Sequence, residues 1–506
     1  MKKGVLTPFF RLSYLPPLMV YAAYGVSGLT GIVGTFFVKD YLDLPADFLA
    51  ALLFWAGIPW ALKMPVGHLV DLIWRWKAIL VWVGAGMIAA SLVIMIGLVA
   101  HTADMRAVMS AERWFVLAAL LAPTGFMIQD AVADAMTVEA VPRVEDPQLR
   151  KSMHTTMQTL GRIAVIGGLA LVAAANIYIF HGTESFTREA KAELYARVYT
   201  AALIIPVMSV LGVILHRFIK HEREVVEKTK PNWAVLGGSA VFVVITLAIG
   251  LGGLPFGQEL IFTGSLAIIL FLLWRLAREL EPAARDALVA TALVLFIYRA
   301  VPLTGEGSNW WMIDVLGFDE GFLARLQLVT YTLTLVGMFA LRRFMAEHSI
   351  ATIIIVLSVA AAVLSMPIIG MFYGLHEWTA ARTGGLVDAR TIALINTALE
   401  SPLGQIAMIP MLAWIANSAP AHLKATYFAV MASFSNLALA ASQLGTQYLN
   451  QVFTVTREVR DTATGAIKVP ADYTELGLLM IVVAAATLLL PLAAVAGVRL
   501  LGLRTA

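Results

Sequence analysis

The chain contains no cysteine. That excludes disulfides, thiolate zinc centres, iron–sulfur ligation and cysteine nucleophiles together. Charge is scarce as well: 14% of the residues are Asp, Glu, Lys or Arg, against about 25% in a soluble domain. The nine histidines are scattered without HExxH spacing, and no GxxxxGK[ST] phosphate loop is present. Neither a metal centre, a cofactor nor an ATP-driven engine is therefore expected. The net charge is only +3, and the basic residues sit in short loops rather than in one patch, which argues against a nucleic-acid partner.

Apolar residues make up 60% of the 506 residues, and the mean hydropathy is +0.82. One soluble core stops growing at roughly 250–300 residues, so the surplus points to lipid as the solvent. A spanning helix needs about 20 apolar residues. Apolar blocks of that kind run Tyr14–Val38, Ala46–Val70, Ala78–His101, Trp114–Val141, Ser152–Phe180 and Leu194–Arg217. Two more follow at Trp233–Gly252 and Leu260–Glu279. Six then run Asp286–Leu303, Gly321–Leu341, Ile350–Tyr373, Thr391–Ser418, Ala421–Val452 and Tyr473–Leu500. The reading is an all-α membrane protein with about fourteen spans. The opening "MKKGVLTPFFRLSY" is a basic flank before a run too long for a cleaved signal, so the first span is expected to stay.

Lys and Arg set orientation. Even-numbered turns carry Arg75 and Lys77, then Arg143, Arg150 and Lys151, while odd-numbered turns such as "KDYLD" and "IDVLGFDE" are acidic or mixed. Both termini are expected in the cytoplasm. The chain also echoes itself: "DYLDLPADFLAAL" from Asp40 and "DVLGFDEGFLARL" from Asp314 align without a gap. An even number of spans separates the copies, so both point the same way. That is a parallel repeat of two six-span halves, as in many transporters. Residues 1–220 form an N-terminal six-helix bundle on this reading, 221–284 a basic linker with two inserted spans, and 285–506 a C-terminal six-helix bundle.

Ionisable groups at membrane depth are functional candidates by default. "FMIQDAVADAMTVEAVPR" carries Asp130, Asp134 and Glu139 on one apolar helix. At ~1.5 Å rise per residue, Asp130 and Arg162 both lie ~18 Å deep on successive spans. Asp134 is one turn from Asp130 on the same face. These groups form either a structural ion pair between two helices, or a cavity in which an aspartate takes and releases a proton while Arg162 tunes it or holds an anion. In the second half, Arg299 lies ~21 Å deep and Glu400 ~27 Å deep, close enough in level to pair or to line a central site. Lys63 either snorkels to the interface or serves as a ligand. Gly67, Asp71 and Arg75 suggest a conformational latch, with Gly67 permitting close helix approach. Trp310 and Trp311 read as interface anchors, whereas Trp55 and Trp60 stay open.

Several stretches resemble the folate–biopterin transporter family of the major facilitator superfamily. They include "GVSGLTGIVGTFFVKDYLDLPADFLAALLFWAGIPWALKMPVGHLVD", "IQDAVADAMTVE", "GSNWWMIDVLGFDEGFLARLQLV" and "ALESPLGQIAMIPMLAWIANSAPAHLKATYFAVMASFSNLA". In the last, Pro420, Ser435 and Asn436 match the family pattern. The resemblance falls on Lys63, Asp71, Asp130, Asp134, Glu139 and Asn436. It implies a monomeric proton-linked carrier for pterins or folates in a bacterial inner membrane, with lipid, protons and a small solute as its partners. Glutamate carboxylates of a folate would suit Arg162, Arg299 or Lys63, and a pterin's amino-pyrimidine edge would suit Asp130. The turn "WRWKAIL" has fewer arginines than the family's, and His422 and Lys424 stand near where an acid is usual. The two extra spans are also like those of the related muropeptide permeases, so a sugar-peptide remains an alternative solute. An intramembrane aspartyl protease would need two carboxylates sharing a proton from separate helices. Here both lie on one helix and no GxGD occurs.

Overall fold

Hydrocarbon offers no hydrogen-bond partner, so a spanning backbone must bond to itself, and helices do this within one segment. The computed structural model describes residues 11–505 apart from 43, 62, 74–75, 142–146, 220–240, 242–243, 247, 250–253, 255, 279, 405, 407, 409–423, 461–466 and 504. Its helices are α1 (Leu15–Val26), α2 (Gly31–Tyr41), α3 (Ala46–Ala61), α4 (Lys63–Leu72), α5 (Ala78–Ala100), α6 (Thr102–Val108), α7 (Ala111–Ala140) and α8 (Pro147–Ile179). After them come α9 (Arg188–Ala201), α10 (Ile204–Phe218), α11 (Gly257–Ala277), α12 (Pro282–Arg299), α13 (Glu306–Asp314) and α14 (Glu320–Ala340). The remainder are α15 (Arg342–Glu347), α16 (Ile350–Phe372), α17 (Leu375–Arg382), α18 (Ala389–Glu400), α19 (Lys424–Val452) and α20 (Leu476–Leu500). A small antiparallel pair, β1 (Val459–Arg460) with β2 (Ile467–Val469), lies between α19 and α20.

Nine helical segments among the described residues are long and apolar enough to cross a membrane. The expected span Trp233–Gly252, much of the linker before it and parts of Thr391–Ser418 lie outside the described residues. Helix starts follow the capping rules. Ser110, Thr187, Asp319, Ser349 and Asp388 each accept a backbone N–H of the first turn, satisfying donors the helix itself leaves open.

The chain forms two compact units. One comprises residues 1–36 and 62–245, the other 37–61 and 246–506. In the first unit α5 packs along α7, and α1 packs against α8, α10 and α7. The α5–α7 contact is close because glycines face each other. A Cβ on Gly125 would stand 2.6 Å from Gly84 O and 2.9 Å from Ile88 Cγ1. A backbone oxygen cannot swing aside, so the helices would have to part. Gly125→Val is expected to destabilise the protein by about 1–3 kcal/mol, read as a lower melting temperature in detergent. Gly86→Ala is the control, since a Cβ there meets nothing within 4 Å, and it should melt no lower than the parent.

In the second unit α3 packs along α19, α16 against α20, and α14 against α18. Trp311, Phe318, Phe322, Leu476 and Leu479 form its largest described core cluster. Trp310 and Trp311 are 1% and 3% exposed, so they are core residues rather than the interface anchors expected. The Arg457 guanidinium lies over the Trp310 ring, 4.8 Å from its centroid, and also donates to the carbonyls of Leu44 and Leu42. Lys39 Nζ bridges Asp314 at 2.6 Å and Asp40 at 3.3 Å. These are the two aspartates that the internal repeat places at equivalent positions.

The repeat is visible in the backbone as well. A 3₁₀ turn, Ser27–Thr30, separates α1 from α2, and a non-helical stretch at 301–305 separates α12 from α13. The alignment that matches Asp40 with Asp314 also matches Leu29, Thr30 and Gly31 with Leu303, Thr304 and Gly305. The first helix of each half is thus interrupted at the same place in the repeat.

Candidate solute and proton site

The long apolar helix α7 has no internal hydrogen-bond use for a carboxylate, so its acids need partners from neighbours. Asp130 and Asp134 are one turn apart and project on one face. Lys63 stands at the start of α4 and reaches both: its Nζ is 2.5 Å from Asp130 Oδ2 and 2.7 Å from Asp134 Oδ2. Tyr21 on α1 donates its hydroxyl to Asp134 Oδ1 at 2.6 Å. The ammonium is therefore clamped between two acids, not extended to an interface. All three charged side chains are only partly covered, at 27%, 24% and 42% exposure for Lys63, Asp130 and Asp134, so the cluster is not sealed off.

Neighbouring polar contacts hold α7 in register. Gln129, adjacent to Asp130 in sequence, is buried and donates to Val81 O at 3.1 Å and to Ser209 Oγ at 2.9 Å. That fixes α7 against α5 and α10. Toward the end of the helix, Glu139 lies 2.7 Å from Lys77 Nζ and 3.1 Å from His216 Nε2. The acids Asp130, Asp134 and Glu139 thus divide into two sites on one helix.

Arg162 on α8 is exposed and forms no ion pair among the described residues. Its charge still bears on Asp130, Tyr21 and Tyr24. The Asp130–Arg162 pair expected from depth is thus replaced by Asp130–Lys63, with Arg162 as a nearby cation that holds no ion pair among the described residues. Depth locates a level but does not choose between two neighbouring helices. In the second unit, Arg299 ends α12 and directs Nη1 to Met408 Sδ at 3.5 Å. Glu400 ends α18, is exposed, and forms no ion pair with Arg299 among the described residues.

At Gly67 a Cβ would meet nothing within 4 Å among the described residues. The Asp71 side chain and all of Arg75 lie outside the described residues, as does Pro420. Asn436 donates to Trp60 O at 3.3 Å and so ties α19 to α3. Sequence reasoning missed Tyr21, whose one available signal is its place among apolar residues in the first span.

A model of the BT1 family matches residues 24–498. The chain belongs to the BT1 family. A folate-biopterin transporter of Synechocystis sp. is 23% identical over 425 residues, covering 83% of this chain and 71% of the relative. Three solved structures are similar across nearly the whole chain. A POT family transporter in complex with 5-aminolevulinic acid has a TM-score of 0.61 at 11% identity, covering 96% of this chain and 95% of that one. The nucleoside transporter NupG has a TM-score of 0.58 at 11% identity, covering 96% and 99%. The xylose transporter XylE from E. coli, inward open, has a TM-score of 0.51 at 12% identity, covering 95% of each chain. This BT1 protein therefore has the major facilitator fold. It is an integral membrane transporter of a small solute, and not an enzyme.

Proposed function

We propose that this BT1 protein is a proton-coupled carrier that moves an anionic folate or pterin-like solute by alternating access. The observation that carries the reading is the Lys63 ammonium bound by Asp130 and Asp134 within 2.7 Å. Two carboxylates and one ammonium leave one net negative charge, which the nearby Arg162 offsets. A proton on either aspartate turns this balanced set into one with a positive excess. In a medium of low dielectric that excess attracts an anion strongly. By linkage, a bound anion then favours the proton equally. Proton and solute thereby travel together. Arg162, whose guanidinium holds no ion pair among the described residues, takes the solute carboxylate, and Lys63 shifts toward it when an aspartate is neutralised. Arg299 and Glu400 are the corresponding candidates in the second unit.

The relative's name supports folates or pterins as the solute class. The basic turns support cytoplasmic termini, and the internal repeat supports two six-helix halves, read as 1–220 and 285–506 with an insert at 221–284; we place the protein in a bacterial inner membrane. We read the protein as a monomer.

Proteoliposomes with an acidic exterior and neutral interior test this. Labelled folate or biopterin should accumulate inside, and a protonophore should reduce the plateau to equilibration. Accumulation that the protonophore leaves intact would sink the coupling. Uptake of a muropeptide with no uptake of either pteridine would reassign the solute.

A further inference from the structure

The geometry points to a recognition pocket in the second unit for a flat head bearing paired N–H donors, of the amidine or 2-aminopyrimidin-4-one type. It lies at the interruption between α12 and α13, a cavity of about 280 Å³. Helix α12 has 18 residues, or ~27 Å of rise, so the interruption comes after a nearly complete crossing of the apolar layer. The backbone and polar side chains of the interruption therefore stand near one face of that layer, where they line the cavity.

Side chains of α19 fix the backbone of the interruption. Ser442 Oγ donates to Val301 O at 2.6 Å, Leu303 N donates to Thr446 Oγ1 at 2.8 Å, and Asn450 Nδ2 donates to Thr304 O at 3.3 Å. The three residues are spaced four apart and share one helix face. Gly305 has φ +76°, and a Cβ there would stand 2.8 Å from Asn450 Nδ2. A larger residue would close this cradle. The site is thus formed in advance of any ligand, as precise recognition requires.

The lining chooses the ligand. Thr304, Ser308, Asn309, Gln443 and Glu306 line the cavity together with the apolar Leu53. Glu306 accepts from Asn309 Nδ2 at 3.0 Å and has no cationic partner among the described residues. It is the one formal charge among the described lining residues, and it is half-buried. A partly desolvated carboxylate without a cation gains most from charge-assisted N–H donors, and paired donors meet its two oxygens in parallel. An anionic head is repelled. Asp130, whose carboxylate Lys63 already occupies, is a poorer reader of such an edge. The volume lies at the lower limit for ligand sites, about 300 Å³. It suits one or two fused rings and excludes an entire folate. The assignment rests on the solute reading above for the choice of pterin as a probe.

The test is equilibrium binding to the full-length protein in nanodiscs. The probes are 2-amino-4-oxopteridine, 2,4-dioxopteridine, which lacks the 2-amino donor, and 4-aminobenzoylglutamate, an anionic tail without the bicyclic ring. The parent should bind the 2-amino compound at least tenfold tighter than the dione. Glu306→Gln should erase that preference at an unchanged melting temperature. Leu53→Trp, which adds bulk at a lining residue of α3 and leaves Glu306 in place, should weaken both pteridines tenfold or more. Neither variant should alter binding of the tail compound. A parent that does not bind the 2-amino compound, or a folded Glu306→Gln that keeps the parent's preference, would overturn the pocket. Loss of proton-driven uptake with pterin binding intact would count against the coupling alone.

Discussion

Asp130→Asn should abolish concentrative uptake while leaving solute exchange and folding intact. The substitution keeps the size of the side chain and removes its charge. Lys63 retains Asp134 at 2.7 Å, so no charged group loses its last partner. What is lost is a group able to gain and lose a proton at that position. The variant is fixed in the electrostatic state that the parent reaches only after protonation, so solute affinity should hold or rise. Positioned proton transfer contributes about 10²–10⁴-fold in enzymes. A loss of gradient-driven initial rate of ~100-fold or more is a reasonable expectation on that scale. Counterflow under equal pH on both sides, which needs no net proton movement, should continue. A variant that still concentrates solute normally would remove Asp130 from the coupling.

The helices were legible from the sequence because hydrocarbon imposes a strict length rule and α5, α16 and α20 satisfy it without ambiguity. Asp130 and Asp134 stood out for the same reason, as charges where charge is costly. Their partner was not legible. Arg162 lies on α8, which follows α7 in the chain, whereas Lys63 lies on α4, three helices earlier, and both helices pack against α7. Choosing between them requires knowing which side chain turns toward the acids, and that is a matter of packing. The clamp also depends on Tyr21, a residue that an apolar-periodicity argument treats as ordinary core. Arg299 and Glu400 form no ion pair with each other among the described residues, although their estimated levels differ by no more than an arginine's reach; depth alone does not choose the partner.

Burial of Trp310 and Trp311 has the same lesson. Aromatics near a span end favour the interface only when nothing packs over them, and here Arg457 and Phe372 do. The interruption at Thr304 could have been found from the sequence. Its Leu-Thr-Gly recurs at Thr30 within the repeat already signalled by Asp40 and Asp314, and Pro302 removes a backbone donor just beyond α12.

Lys63→Met should be the more damaging change, because it deletes the one cation that both aspartates share. Removing one partner of a buried ion pair costs about 3–5 kcal/mol, largely from the charge left behind. Partial exposure of Asp130 and Asp134 lets water take up some of that cost, so a loss of about 2–4 kcal/mol is expected here. It should appear as a markedly lower melting temperature in detergent, with transport lost. Adding Asp130→Asn removes one of the two stranded charges and should recover much of the stability, without restoring accumulation. Such a recovery is a coupling energy of the kind that only interacting residues show. The comparison with Arg162→Met separates the two cations. Arg162 holds no ion pair among the described residues, so its loss should leave the melting temperature near that of the parent and act on solute affinity instead. Should Lys63→Met melt like the parent, or should its effect simply add to that of Asp130→Asn, the shared clamp on α7 would not exist in the working protein.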